Sequence, residues 1–180
     1  MKITVSGIVG SGKSTVSKLL AKRLGFEYFS VGALMRQMAV DKKVHLKELT
    51  EQAKFDERVI DKELDDSQIK IGKTRNNFVM DSRLGFYFIP DSFKVFLKVD
   101  LNEGAKRVFS DSRREESYSS VEETKSYLVK RISDEKQRYK QYYRIDFPNG
   151  CKFDLEIDTT KISPKEVVEK IVNGLKIYSK

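Results

Sequence analysis

A chain of 180 residues with 39% hydrophobic and 11% aromatic content can bury one compact core and is too short for two full-sized domains. Its single cysteine, Cys151, rules out an internal disulfide and a multi-thiolate metal site, while its single histidine, His45, rules out a histidine-based zinc site and a Ser-His-Asp triad. The formal charge of +8, from 35 basic and 27 acidic residues, calls for a polyanionic partner, either a nucleic acid or a small molecule with several phosphates.

The mixed sign of the charges argues against disorder. His45 reads as an ordinary surface or half-buried residue. No apolar stretch approaches the roughly 20 residues that span a bilayer, and the N-terminus enters a strand pattern directly rather than a signal peptide. The expectation is a soluble, cytoplasmic protein with a reduced cysteine.

Taken in chain order, residues 2–6 predict a first strand. The run Gly7-Ile8-Val9-Gly10-Ser11-Gly12-Lys13-Ser14-Thr15 follows, matching G-x-x-x-x-G-K-[ST] in full and opening a helix over 13–24. In this strand-turn-helix setting the glycines let successive backbone N–H groups face one centre, and the helix dipole adds positive potential there. Lys13 would reach the outer phosphates of a nucleoside triphosphate and the Ser14 hydroxyl would hold Mg²⁺. The plainer alternative is a glycine-rich turn between a strand and a helix. Val16, Leu19, Leu20 and Leu24 lie on one face of the helix, and Gly25 ends it.

Residues 26–29 predict a second strand, after which Ser30-Val31-Gly32 turns into a helix carrying Leu34, Met35 and Arg36. Helices fit 46–53 and 56–71, the second with Phe55, Val59, Ile60 and Leu64 at helical spacing. Phe78-Val79-Met80, apolar at every position and closing on Asp81, predicts a strand covered on both faces in a parallel sheet. The strand over 93–99 is interrupted by Lys94 and Lys98 and so is expected to be less buried. Leu101, Ala105, Val108 and Phe109 give a helix, and the polar segment 110–120, with Arg113 and Arg114, reads as a loop or mobile cover. A long helix follows over 120–142. Phe153, Leu155 and Ile157 alternate into a last strand ending at Asp158. Ser163-Pro164-Lys165-Glu166 is a capping box opening a helix that buries Val167, Val168, Ile171, Val172 and Leu175.

Strands alternating with helices predict an α/β fold with a five-stranded parallel sheet between helical layers, with ligands at the carboxyl ends of the strands. The phosphate loop, Asp81 and Asp158 all fall at such ends. Asp81 follows its strand as an acid that accepts a proton or holds a Mg²⁺-bound water, or simply caps a turn. Arg83 and Arg36 offer guanidinium forks suited to phosphate oxygens. Arg131, Glu135 and Arg138, at i, i+4 and i+7, share one helix face, either as an ion-pair ladder or as a clamp closing on a moving phosphoryl group. Asp61, Asp65 and Gln68 repeat that spacing and either read a base edge or form the wet side of their helix.

Together these residues resemble the P-loop nucleoside monophosphate kinases, and most closely the short cytidylate kinases of archaea. The resemblance runs nearly end to end, through the phosphate loop, Ser30-Val31-Gly32 with Arg36, the 60–68 helix, Asp81-Ser82-Arg83-Leu84, the Arg131/Glu135/Arg138 stripe with Tyr139 and Ile145-Asp146, and Asp158-Thr159-Thr160. It implies transfer of the γ-phosphate of ATP to CMP or dCMP with Mg²⁺. It also implies one domain over 1–180, with monophosphate-binding helices over about 31–72 and a lid over about 110–138. By that likeness Lys13, Asp81, Arg131 and Arg138 act in catalysis, and residues 7–15 with Arg107 and Arg113 bind ATP, the two arginines from the lid. Ser30, Gly32, Arg36, Asp61, Asp65, Gln68, Arg83, Arg131, Glu135 and Arg138 surround the acceptor, and Ser14 and Asp81 hold the metal. The chain departs from the family pattern at Ser82, where glycine is usual, and in a longer 110–117 segment.

A kinase for another monophosphate or small metabolite is the sibling reading. A nucleic-acid-associated P-loop ATPase is the reading from another class; it needs stacking aromatics among basic residues, for which Tyr139, Tyr142 and Tyr143 beside Lys136, Arg138 and Lys140 are the candidates. The leading expectation is a monomer with no membrane contact and no stable nucleic-acid partner.

Overall fold

The computed structural model describes residues 1–41, 43, 59–111 and 118–178. Five strands, β1 (Lys2–Gly7), β2 (Glu27–Ser30), β3 (Phe78–Asp81), β4 (Phe93–Lys98) and β5 (Leu155–Asp158), form one sheet in the order β2-β3-β1-β4-β5. All pairings are parallel. The described helices are α1 (Lys13–Leu24), α2 (Val31–Asp41), α3 (Val59–Thr74), α4 (Gly85–Phe88), α5 (Leu101–Ser110), α6 (Val121–Tyr143) and α7 (Pro164–Tyr178).

Period-two alternation along the strands divides the core into two layers. On one face Ile3, Val5, Val79, Val95, Leu97 and Ile157 meet Val16 and Leu20 of α1 and Val167, Val168, Ile171 and Leu175 of α7. On the other, Phe78 and Met80 pack with Ile89, and Phe96 packs with Leu84, Phe86, Tyr139 and Phe147. The same alternation places the last residue of β3. Asp81 follows Val79 by two and therefore points to the α1 side, where β2 pairs Ser30 opposite it. The polar residues of β1 on the second face are satisfied inside: Thr4 and Ser92 share a hydroxyl hydrogen bond of 2.8 Å, and Ser6 Oγ donates to the Ser82 carbonyl at 3.0 Å.

Chain order places the phosphate loop. From β1 the chain fills the β3 and β2 side of the sheet, and only then crosses to β4 and β5. The loop after β1 thus sits at the point where strand order reverses, the place where open α/β sheets bind ligands.

Most expected elements appear, with instructive shifts. Gly25 caps α1 in the left-handed region at φ 68°, and the Ser163/Glu166 capping box closes in both directions at 2.8 and 3.3 Å. The last strand is shorter than expected. Phe153 precedes it and stacks on Phe96 with ring centroids 4.7 Å apart. Lys94 and Lys98 do not lower the burial of β4 as a whole, because Phe93, Val95, Phe96 and Leu97 between them are buried; Lys98 leans out to pair with Glu156 of the edge strand. Phe109, expected in the apolar face of α5, is exposed. The short α4 after Arg83 had no periodic signal. The helix expected over 46–53, the start of the 56–71 helix with Phe55, His45, and residues 112–117 with Arg113 and Arg114 lie outside the described residues.

Ile171 is fully buried between α7 and the sheet, whereas Ile177 on the same helix is 78% exposed. Ile171→Ala should therefore lower unfolding free energy by about 2–5 kcal/mol in urea titrations, and Ile177→Ala should change it by less than about 0.5 kcal/mol.

Candidate active site

The phosphate loop is held open by its glycines and by what stands behind it. Gly12, at φ 81°, forms the left-handed entry to α1. Gly10, at φ 80°, lies against α5 so closely that a Cβ there would be 2.6 Å from the Gly104 backbone. Ile8 N–H donates to the Leu97 carbonyl at 3.3 Å, tying the loop to β4. Val9 is half-buried, Ser11 is buried with its hydroxyl unpartnered, and Thr15 is exposed on the first turn of α1.

Lys13 is half-buried rather than standing out on an exposed loop, and its ammonium donates to the carbonyls of Gly7 at 2.9 Å and Ile8 at 3.2 Å. Burial and the neighbouring Arg83 push this ammonium down to about 7, against the upward pull of Asp81 and Glu135; Arg131 adds to the lowering. One residue on, Ser14 Oγ donates to Asp81 Oδ2 at 2.6 Å. The same carboxylate oxygen faces the hydroxyls of Tyr28 at 3.4 Å and Ser30 at 3.5 Å. A hydroxyl and a carboxylate held together are hard oxygen donors of the kind that suit Mg²⁺, which binds through one or two such groups plus phosphates. The site is thus compatible with the metal that the phosphate-loop motif implies.

Two helices face this floor. On α6, Glu135 Oε1 accepts from Arg131 Nε at 3.2 Å, the i, i+4 pair expected from the sequence, and it also takes Arg83 from the loop after β3. Arg138 turns to Asp61 of α3 at 3.9 Å instead of continuing the ladder. The polar stripe of α3 is therefore not a solvated face. Asp61 and Gln68 are 8% and 2% exposed, Asp65 accepts the Tyr143 hydroxyl at 2.7 Å, and Gln68 Oε1 accepts the Ser82 hydroxyl. Asp61 Oδ2, Arg83 Nε and Arg138 Nε are buried without a partner, although they come from α3, the β3 loop and α6. Buried polar atoms are rarely left so; these three belong to side chains linked through Glu135, which pairs with Arg83 and acts on Arg138, and through the Arg138–Asp61 pair. Arg36 is half-buried on α2 beside Ser30 and Gly32, where a Cβ at residue 32 would lie 3.6 Å from its guanidinium.

Arg107 is placed differently from the expected lid. It sits on α5, with Nε on Glu103 at 2.9 Å and its terminal nitrogens on Thr159 Oγ1, Thr159 O and Thr160 O at 3.2, 2.8 and 3.2 Å. Thr159, 2% exposed, also contacts the Ser11 carbonyl at 3.1 Å, so Arg107 backs the phosphate loop through the turn after β5. Tyr139 and Tyr143 do not form a base-stacking platform. Tyr139 is buried against Phe147, and Tyr143 packs on Phe88 and Tyr87. The sequence reading missed Tyr28, Tyr143 and Thr159 as parts of this network. Only Tyr28 had a usable signal, its two-residue spacing from Ser30.

The sequence pattern of the cytidylate kinase-like family matches residues 2–161. The chain belongs to that family. This cytidylate kinase-like protein is 33% identical over 177 residues to the cytidylate kinase of Methanobrevibacter smithii, covering 98% of this chain and 99% of that one. It is 37% identical over 172 residues to an S-adenosylmethionine-dependent nucleotide dehydratase of Lacinutrix mariniflava, but although 95% of this chain aligns, it spans only 35% of that protein. Among solved structures, shikimate kinase from Bacteroides thetaiotaomicron superposes with a TM-score of 0.63 at 14% identity, covering 98% of each chain, which shows a shared P-loop kinase fold. No helix among the described residues is long and apolar enough to cross a membrane.

Because burial and Arg83 hold the Lys13 ammonium down to about 7, phosphate binding above that pH must draw a proton onto it. The sign is fixed. Between about 7 and 10.5 the unfolded lysine carries a proton that the folded one has lost, so folding without ligand gains as pH rises while triphosphate binding loses. ATP affinity should fall by up to about tenfold per pH unit above pH 7.5. Calorimetry in buffers of different ionisation enthalpy should register proton uptake that Lys13→Met abolishes.

Proposed function

We propose that this protein transfers the γ-phosphoryl group of ATP to CMP or dCMP, giving ADP and CDP or dCDP. The observation that carries the reading is the convergence of Arg83 and Arg131 on the phosphate-loop lysine, together with atoms of Asp61, Arg83 and Arg138 that are buried without a hydrogen-bond partner. Its family membership, with the named relative from Methanobrevibacter smithii matched over nearly its whole length, supports the choice of acceptor.

In this reading residues 7–15 cradle the triphosphate with backbone N–H groups, and Lys13 leaves the Gly7 and Ile8 carbonyls for the outer phosphates. Ser14 and Asp81 would hold Mg²⁺, which would neutralise charge on the phosphate oxygens. Arg36, Arg83 and Arg138 take the acceptor phosphate, with Ser30 and Gly32 shaping the turn beside it. Glu135 keeps Arg83 and Arg131 aimed at the space between the two nucleotides. Phosphoryl transfer asks little covalent chemistry of a protein; positioning and cationic stabilisation of the moving group supply most of the acceleration. Arg107 steadies the phosphate loop and stands at the ATP side, and a cover over residues of about 110–138, Arg113 among them, closes on ATP. Asp61 or Asp65 accepts a hydrogen bond from the cytosine amino group, and Gln68 donates to N3 or O2.

An assay coupled to ADP release, run with ATP and CMP, dCMP, UMP, AMP or GMP, should give turnover with the cytidine nucleotides at least about 100-fold better in kcat/KM than with UMP. Lys13→Ala should keep its circular dichroism spectrum and lose on the order of 100- to 1000-fold in rate, the usual cost of one phosphate-stabilising contact. Equal turnover with all five acceptors, or a fully active Lys13→Ala, contradicts the reading.

A further inference from the structure

The phosphate loop is laid against α5, and Gly104 is the residue of α5 that it touches. Glycine within a helix is unfavourable relative to alanine, because it gives up more backbone freedom on folding. What a side chain would meet there explains its presence. A Cβ on Gly104 would lie 3.2 Å from the Val9 carbonyl oxygen and 3.3 Å from Val99 Cγ1, and one on Gly10 would lie 2.6 Å from both the Cα and the carbonyl oxygen of Gly104. At the other glycines of the described helices, Gly32, Gly72, Gly85 and Gly174, an added Cβ would meet side chains only. A side chain can turn aside, whereas a carbonyl in a tight loop moves only with its whole peptide unit.

That peptide unit is the one that carries the Gly10 N–H. In a planar trans peptide the C=O and the N–H point in opposite directions. The Val9–Gly10 bond is trans, so the Val9 oxygen turned to α5 sends the Gly10 N–H the other way, off the helix that backs the loop. The next N–H, of Ser11, is used inside the loop on the Ile8 carbonyl at 3.3 Å. The Gly10 N–H has no acceptor among the described residues, although Gly10 is half-buried. Folded proteins pair such groups, and in a glycine-rich loop opening a helix the missing partner is an anion.

We propose that Gly104 is a positioning residue for the triphosphate: by carrying no side chain it lets the Val9 carbonyl rest on α5 and so aims the Gly10 N–H at the phosphate oxygens. Gly104 itself touches no phosphate. The inference rests on the reading of residues 7–15 as the triphosphate site and adds what sets the direction of one of its donors. With alanine at 104, the Val9–Gly10 peptide has to give way by a few tenths of an ångström. Its N–H then leaves its line, and hydrogen bonds weaken as they bend.

The test measures dissociation constants for ATP, tripolyphosphate and CMP by calorimetry on the full chain, in the wild type, in Gly104→Ala and in Gly174→Ala as the control for a helix glycine away from the loop. Gly104→Ala should weaken ATP and tripolyphosphate alike, by about fivefold, and leave CMP unchanged. Gly174→Ala should leave all three unchanged. A second measurement needs no variant: in ¹⁵N-labelled wild-type protein the Gly10 amide should exchange rapidly with water, then shift and become protected when tripolyphosphate is added. Unaltered tripolyphosphate affinity in Gly104→Ala, a loss that extends equally to CMP, an equal loss in Gly174→Ala, or a Gly10 amide that tripolyphosphate leaves unmoved overturns the proposal. So does a loss confined to ATP, which would put the effect on the nucleoside rather than the phosphates. A protein that binds tripolyphosphate and is indifferent to Gly104→Ala defeats this inference alone, and one that binds neither ATP nor tripolyphosphate defeats the reading of the loop as well.

Discussion

The hydrogen bond from Ser14 to Asp81 joins the start of α1 to the end of β3, and the rest of the site is arranged about that junction. It exists because β1 and β3 are parallel neighbours, with Val5 in register with Asp81, so that the loop leaving β1 and the acid ending β3 emerge at the same edge. β2 adds Ser30 beside Asp81 through its own register, and Tyr28 on the same face. On the far side, α5 and the turn at Thr159 support the loop from behind, through the close approach of Gly10 to Gly104 and the contact on Ser11. The phosphate loop is thus held between two walls, and the sheet determines the position of both.

Around this frame the charges are not balanced for a protein without ligand. Lys13, Arg83, Arg131 and Arg138 converge on a space where Glu135, Asp61 and Asp81 are the opposing groups. Glu135 is shared by two arginines through one oxygen. Buried charges that are partly paired are expensive to hold, and removing a partner costs more than the pair contributes. The arrangement makes sense when phosphates enter, because they supply several oxygens at once and allow each guanidinium its own acceptor. Lys13 is lowered first by its burial, and the neighbouring Arg83 adds to this.

How much of this was legible in the sequence depended on distance along the chain. The phosphate loop is a local pattern, complete within nine consecutive residues, so its location and geometry followed directly. Asp81 was legible because an all-apolar strand ends on it, and the Arg131/Glu135/Arg138 stripe because helical spacing is local too. What spacing could not give was the far partner. Glu135 also takes Arg83, which is 52 positions away, and Tyr143 reaches Asp65 over 78 positions. The acidic stripe of α3 consequently left open whether it was a wet face, a question that packing against α6 and Ser82 answers. Arg107 shows the converse. The family resemblance assigned it to a lid, but it lies on α5, where Thr159 and Thr160, brought near by β5 joining the sheet beside β4, hold its guanidinium.

The account's central claim is that the site moves a phosphoryl group between two bound nucleotides rather than giving it to water. Tracing the label from γ-³²P-ATP in the presence and absence of CMP tests this most directly. The account predicts that the label appears in CDP when CMP is present, with little inorganic phosphate formed in either case. Label released as inorganic phosphate at a rate that CMP does not alter would contradict it.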